Sequence, residues 1–204
     1  MTKFGKFSHA IEDYLKAIYE LQQRNSPVTT SALANRMGYA PASVTGMLQK
    51  MSSNSPILVK YTSHKGVVLT STGEKIALEI MRHHRLIELY LIEALGYKSD
   101  QVHDEAEKLE HVISEELEDR IAVFLGDPVV GPHGEPIPTK DGAIANPGGA
   151  RLSELEVGQS GVIIRVLDDD PALLRYLAQL GMQPETHLMA VSYTHLTLPT
   201  ILLV

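Results

Sequence analysis

Val28–Met51 reads V-T-T-S-A-L-A-N-R-M-G-Y-A-P-A-S-V-T-G-M-L-Q-K-M, and the placement of its Gly and Pro decides the fold. The first half is a short helix-prone run that stops at Gly38, a residue suited to the left-handed conformation in which helices end. Pro41 suits the first turn of a second helix, where its missing N–H costs nothing, and Val44, Met47, Leu48 and Met51 form that helix's apolar side. Two short helices joined through a Gly-containing turn make a helix-turn-helix. The residues left facing outward on the second helix, Ser43, Thr45, Gly46, Gln49 and Lys50, are small, polar or basic, as entry into a major groove requires.

Upstream, Ile11, Leu15, Ile18, Tyr19 and Leu21 follow a helical period from His9 to Gln23, with Ser8 placed to cap and Asn25-Ser26-Pro27 to terminate. Downstream of Pro56, I-L-V-K-Y and V-V-L-T are β-prone runs separated by T-S-H-K-G, a hairpin whose tip carries His64, Lys65 and Gly66. Helix-turn-helix plus hairpin is a winged helix. Three-helix units with a hairpin also serve as interaction modules, and charge bears on the choice. Residues 1–72 carry 8 Lys and Arg against 3 Asp and Glu, a net of +5, whereas residues 73–204 carry 10 against 22, a net of −12. The chain's overall −7 therefore conceals a basic head on an acidic body, and phosphate contacts need only a local basic face. Pro41, Ser43, Thr45, Gly46, Lys50, His64 and Lys65 are the candidate DNA-contacting residues.

Composition narrows the remaining classes. At 204 residues, 44% hydrophobic and 21% charged, the chain suits one sizeable domain or two small ones. No apolar run approaches the roughly 20 residues of a membrane span, and M-T-K-F-G-K-F-S-H-A-I-E-D-Y lacks a signal peptide's apolar core, so a cytoplasmic protein without a membrane partner is expected. The absence of Cys excludes disulfides, thiolate zinc sites and cysteine catalysis; any metal must be held by oxygen and nitrogen.

From Thr72 to Gly96 the sequence is strongly helical, and Leu86, Ile87, Leu89, Tyr90, Leu91, Ile92 and Leu95 are apolar over more than one face. That predicts burial against a partner subunit, hence a homodimer. A second long element is predicted from Val102 to Phe124. Within it H-D-E-A-E-K-L-E-H places His103, Glu107, Glu110 and His111 on one helical face with no Lys or Arg in the stripe. His84 and Glu88 are spaced i, i+4 on the preceding helix. Isolated His/Glu pairs are usually solvated surface, but this density across two consecutive helices points to divalent-metal binding.

R-H-H-R-L-I-E followed by V-H-D-E-A-E-K-L-E-H-V-I-S-E-E-L-E-D-R, with a winged helix before and P-H-G-E-P-I-P after, resembles the diphtheria-toxin-repressor family of metal-dependent transcription regulators over roughly residues 9–190. The resemblance implies a mainly α chain: a winged helix-turn-helix DNA-binding domain over 1–72, a helical dimerisation and metal-binding domain over 73–126, and a small C-terminal β-barrel. It implies a repressor that binds a palindromic operator as a dimer when loaded with divalent metal.

Carried over residue by residue, the family's effector site falls on Asp13, Glu107, Glu110 and His111. Iron-responsive members place sulfur at the positions of Asp13 and Glu107, whereas this chain, like manganese-responsive members, has carboxylates. Mn(II) is therefore favoured, with Fe(II) second. Lys16 stands where the binuclear manganese-sensing subgroup has a carboxylate, which counts against a paired-ion arrangement. The ancillary site falls on His84, Glu88 and His103, joined by His133 of P-H-G and by Asp169 or Asp170 of L-D-D-D-P. Gly131 replaces a Cys that related chains carry two residues before that His.

Residues 127–150 are Pro/Gly-rich and read as a linker. Residues 151–190 resemble the strand, helix and strand that open the family's FeoA-like barrel, and the atypical tail 191–204 does not continue it. The barrel is expected to be incomplete, its open edges aggregation-prone, and the ending a truncated or misread terminus. Enzyme motifs are weak: E-x-x-E-H is neither H-x-x-E-H nor H-E-x-x-H, and no G-x-S-x-G, P-loop or dinucleotide fingerprint is present. The alternatives are a metal-independent winged-helix regulator and, weaker, a carboxylate/His metalloenzyme.

Overall fold

Helices α1 (His9–Gln22), α2 (Thr30–Met37) and α3 (Pro41–Ser53) form the head of a computed structural model that describes residues 7–146, 148–166, 171–192 and 202–203. The Thr29 hydroxyl starts α2 by accepting from Ala32 N at 3.1 Å, and Gly38 ends it in the left-handed region at φ 68°. Pro41 opens α3 in its first turn. Leu15, Ile18, Leu33, Val44, Leu48 and Met51 close the core between the three helices, each burial contributing roughly 1.5–3 kcal/mol.

Strands β1 (Val59–Thr62) and β2 (Gly66–Leu69) pair antiparallel, Val59 opposite Leu69 and Thr62 opposite Gly66. Val28, just before α2, bridges to Val67 and ties the wing to the helix-turn-helix. Gly66 makes that approach feasible: at φ 103° a Cβ would stand 2.5 Å from the Val28 carbonyl oxygen.

Helix α4 (Ser71–Leu95) joins head to body. Thr70 caps it by accepting from Gly73 N at 3.1 Å. Its first half buries Ile76, Ala77, Leu78 and Met81 in the head core, and its second half buries Leu86, Ile87 and Leu91 in the body. Much of the apolar surface that the sequence assigns to a partner subunit is thus spent within the chain. Leu95 stays exposed, and Leu117, Val123 and Phe124 are exposed as well.

The single long element predicted from Val102 to Phe124 is two helices, α5 (Val102–Leu109) and α6 (Glu115–Phe124). Ser114 is the cause: its hydroxyl accepts from Leu117 N at 3.2 Å and starts α6 afresh. Glu110 caps the C-terminus of α5, so His111 leaves the helical register and the four-residue stripe divides.

The Pro/Gly-rich segment after α6 is a strap, not a free tether. Arg82 and Arg85 of α4 donate to the carbonyls of Pro138 at 2.9 Å and Pro136 at 2.5 Å. Ile137 is buried against Leu86 and Ile121, and Ile144 reaches the head core.

Beyond a single 3-10 turn (Leu152–Glu154), β3 (Ser160–Val162) pairs with β5 (His187–Met189) and β4 (Arg165–Val166) with β6 (Leu202–Leu203). Helix α7 (Pro171–Gln179) supplies Leu174 and Leu177 to a small core with Ile163 and Val166. The described sheets are two-stranded and do not close a barrel. Of the tail, Leu202 and Leu203 return to pair with β4. Asp169 and Asp170 lie outside the described residues. No helix among the described residues is long and apolar enough to cross a membrane.

Candidate metal centre and nucleic-acid interface

The joint between head and body is a cluster of imidazoles and carboxylates around α1, α4 and α5. Asp13, Glu110 and His111 each offer one ligand atom, all within 4.8 Å of one another. His111 Nε2 lies 2.8 Å from Asp13 Oδ1 and 3.5 Å from Glu110 Oε1. Its Nδ1 faces Glu12 Oε2 at 2.7 Å, and His9 stacks on its ring at 4.6 Å. A carboxylate behind an imidazole fixes the tautomer and aims the other nitrogen. Sequence reasoning missed Glu12. Its signal was there: an acidic residue on the inward side of an amphipathic helix, beside Asp13.

Glu107, the fourth expected member, turns elsewhere. Lys16 of α1 donates to Glu107 Oε1 at 2.6 Å and to Glu110 Oε2 at 2.9 Å, with His84 Nδ1 at 3.3 Å. His84, Glu107 and Glu110 are themselves a group of ligand atoms within 4.8 Å, and a buried ammonium occupies their midst. The stripe that lacks a cation in sequence is thus neutralised across the fold. Lys16 stays charged although burial opposes it most, because Glu110 and Glu107 together raise its pKa.

His84, Glu88 and His103 form the second group. His84 Nε2 is 3.0 Å from Glu88 Oε1 and 3.1 Å from His103 Nδ1, while its Nδ1 makes a short hydrogen bond with Glu110 Oε2. One ring therefore links the two groups. Burial and Lys16 oppose its protonation, yet Glu88 and Glu110 raise its pKa to about 9. His111 also reaches about 9, its burial outweighed by Asp13, Glu12 and Glu110. Burial pushes Glu88 up, but His84, then His103 and His133, hold it well below the usual carboxylate range. His133 sits on the strap with Nε2 buried and without a hydrogen-bond partner, and its backbone N–H donates to Glu135 Oε2 at 3.0 Å. The same turn carries the C-terminal unit, since Val166 N donates to the His133 carbonyl at 2.9 Å. An orphaned buried nitrogen beside a ready set of oxygen and nitrogen donors fits a divalent first-row ion.

On the head, Pro41, Ser43, Gly46 and Lys50 of α3 are exposed on the side away from Val44 and Leu48, and His64 and Lys65 are exposed at the wing tip. Thr45 is half-buried, and its hydroxyl is committed to its own helix, donating to the Pro41 carbonyl at 2.9 Å. Gly46 has no intramolecular reason to be glycine, because a Cβ there would meet nothing within 4 Å.

A winged helix mounted on a helical body, with imidazoles and carboxylates gathered at the joint, is the architecture of a metal-dependent DNA-binding regulator. The iron dependent repressor N-terminal DNA binding domain matches residues 6–67, the iron dependent repressor metal binding and dimerisation domain residues 70–139, and a FeoA domain residues 150–204. A solved manganese-dependent transcriptional repressor in complex with manganese superposes with a TM-score of 0.82 at 38% identity, covering 89% of this chain and 83% of the other. Iron-dependent repressor IdeR of Mycobacterium leprae is 31% identical over 185 residues, 85% of this chain and 80% of the relative. The diphtheria toxin repressor of Corynebacterium diphtheriae is 33% identical over 160 residues, 77% of this chain and 65% of the relative. The chain belongs to the diphtheria-toxin-repressor family, whose members are metal-dependent transcriptional repressors and not enzymes.

Proposed function

We propose that this chain is a cytoplasmic repressor that binds a palindromic operator as a homodimer when loaded with Mn²⁺, or secondarily Fe²⁺. The observation that carries the reading is the meeting of Asp13, from the head, with Glu110 and His111, from the body, within 4.8 Å. These three would hold the effector ion, with Glu107 engaged by Lys16, and His84, Glu88 and His103 with His133 would hold the ancillary one. Carboxylate and imidazole donors without sulfur favour Mn²⁺. When bound, the ion supplies the positive charge that draws the head and body carboxylates to one point. Glu12 holds His111 so that Nε2 faces Asp13, and α4, shared by both cores, carries the joint rigidly toward the wing. The exposed apolar side chains of α6, with Tyr90 edge-on to Phe124 at 5.7 Å, supply the dimer face. A dimer reads half-sites roughly 34–36 Å apart, so both α3 helices must be held at that spacing.

If the competent arrangement is about 1% populated without metal, full ordering tightens operator binding about 100-fold. Reciprocity then requires operator DNA to tighten Mn²⁺ binding by the same factor. Calorimetry of Mn²⁺ binding with and without operator tests this, and equal affinities overturn the coupling. Operator binding that is equally tight in chelator would establish a metal-independent regulator instead.

Metal affinity is expected to fall with acid. His84 and His111 are raised to about 9 in the ion-free chain, so both carry a proton at pH 7.5 that must leave before the ring can ligate. Below that pKa each ion displaces one proton, giving a slope of about one log unit in affinity per pH unit, flattening above it. Titrations in two buffers of different ionisation enthalpy count the protons; a count of zero excludes both rings as ligands.

Gly46→Ala separates folding from DNA contact. An exposed mid-helix glycine costs roughly 0.8–1.0 kcal/mol relative to alanine, and the added methyl has open space. Thermal unfolding should therefore show a stabilised head while operator affinity drops, because α3 approaches the duplex through this position. Undiminished affinity would remove Gly46 from the interface.

A further inference from the structure

Another group of ligand atoms comes from Glu79 and His83 of α4 and Glu115 of α6, all within 4.8 Å of one another. His83 is the informative member. Its side chain is 1% exposed, and its Nδ1 must donate to the Glu110 backbone carbonyl, 3.0 Å away, because a carbonyl can only accept. That leaves Nε2 pointing into the carboxylates, where it makes no well-formed hydrogen bond and pairs with Glu118 Oε2 at 3.3 Å. Glu79 Oε1 is likewise buried without a partner.

Two cations border the group. Arg82 pairs through Nε with the other Glu118 oxygen, at 2.5 Å, and through Nη1 with the Pro138 carbonyl. Lys140 pairs with Asp119 and stands 3.9 Å from Glu115. An imidazole anchored at Nδ1 by a carbonyl, with Nε2 facing carboxylate oxygens, is how metal-ligating histidines are held.

We propose that Glu79, His83 and Glu115, with Glu118 alongside, form a third divalent-cation site, separate from the two at the head–body joint. One nitrogen and several carboxylate oxygens suit a first-row divalent ion. The site clips α4 to the start of α6. Because His83 bonds the carbonyl of Glu110, it also braces the break between α5 and α6 on which the effector ligands depend.

Equilibrium dialysis of the stripped full-length chain against millimolar Co²⁺ counts the ions. Glu79→Ala and Glu115→Ala, both at partly exposed positions, should each take up one Co²⁺ fewer per chain than the parent, as should His83→Asn if it folds. Asp13→Asn and Glu88→Gln should each lose a different ion and keep this one, so failure of the joint sites is read separately. Anomalous scattering from Co²⁺-soaked crystals should place the ion against His83 Nε2. An unchanged count in both glutamate variants overturns the proposal, and leaves a protonated His83 paired with Glu118 as the occupant.

Discussion

Lys16→Glu is expected to destabilise the ion-free chain, to make its tight folding depend on metal, and to add one bound ion per chain. In the ion-free chain the Lys16 ammonium is 8% exposed and bridges α1 to Glu107 and Glu110 of α5. Removing one partner of a buried pair typically costs about 3–5 kcal/mol, and a new carboxylate among those already present adds repulsion. Chemical denaturation in chelator should show a loss of at least that size. The replacement also adds a carboxylate beside Glu107 and Glu110, the two that Lys16 reaches, and so completes an oxygen donor set. Mn²⁺ should therefore restore much of the lost stability, about 2.7 kcal/mol at 100 times its Kd. Lys16→Met is the control: it removes the ammonium and supplies no ligand, so stability falls and no ion is gained. An unchanged ion count in Lys16→Glu would show that Lys16 does not stand in for a cation.

Glu110→Gln is expected to abolish metal-stimulated operator binding. Glu110 is fully buried and receives Lys16, His84 and His111 from three directions. Its loss uncouples the effector group and removes the carboxylate behind His84, whose Nε2 faces the ancillary group. Loss of an outer partner alone typically weakens metal affinity 10–100-fold, and here one substitution strikes a ligand of one site and an outer partner of the other. Both Mn²⁺ affinities should fall by at least about 10-fold, and fluorescence anisotropy should show operator binding no stronger with Mn²⁺ than in chelator. Glu105→Gln, at a partly exposed position and paired with Lys108 at 3.0 Å, should change neither. Retained stimulation in Glu110→Gln would remove the head–body joint as the switch.

Local chemistry determined the head. Gly38 and Pro41 mark the turn between α2 and α3 because one residue tolerates left-handed backbone and the other lacks an N–H, and both act within a few residues of themselves. Thr70 and Gly96 bound α4 for similar reasons. Ser114 carried an equally local signal, a cap followed by acidic residues, but the apolar and ligand periodicity running through it concealed the break. His84 and Glu88, four residues apart on one helix, were legible as a pair.

What lies between helices was decided only by tertiary packing. Sequence spacing aligned Glu107 with Glu110 and His111, yet the fold turns Glu107 toward Lys16, 91 residues away, and sets Glu12 behind His111, 99 residues away. Periodicity states which residues share a face of one element; it carries no information about which charge from another element will meet that face. That pairing follows from burying α1 and α4 against a common core, which takes the carboxylates out of water and leaves them to find their counter-charges among whatever side chains the packing brings within reach.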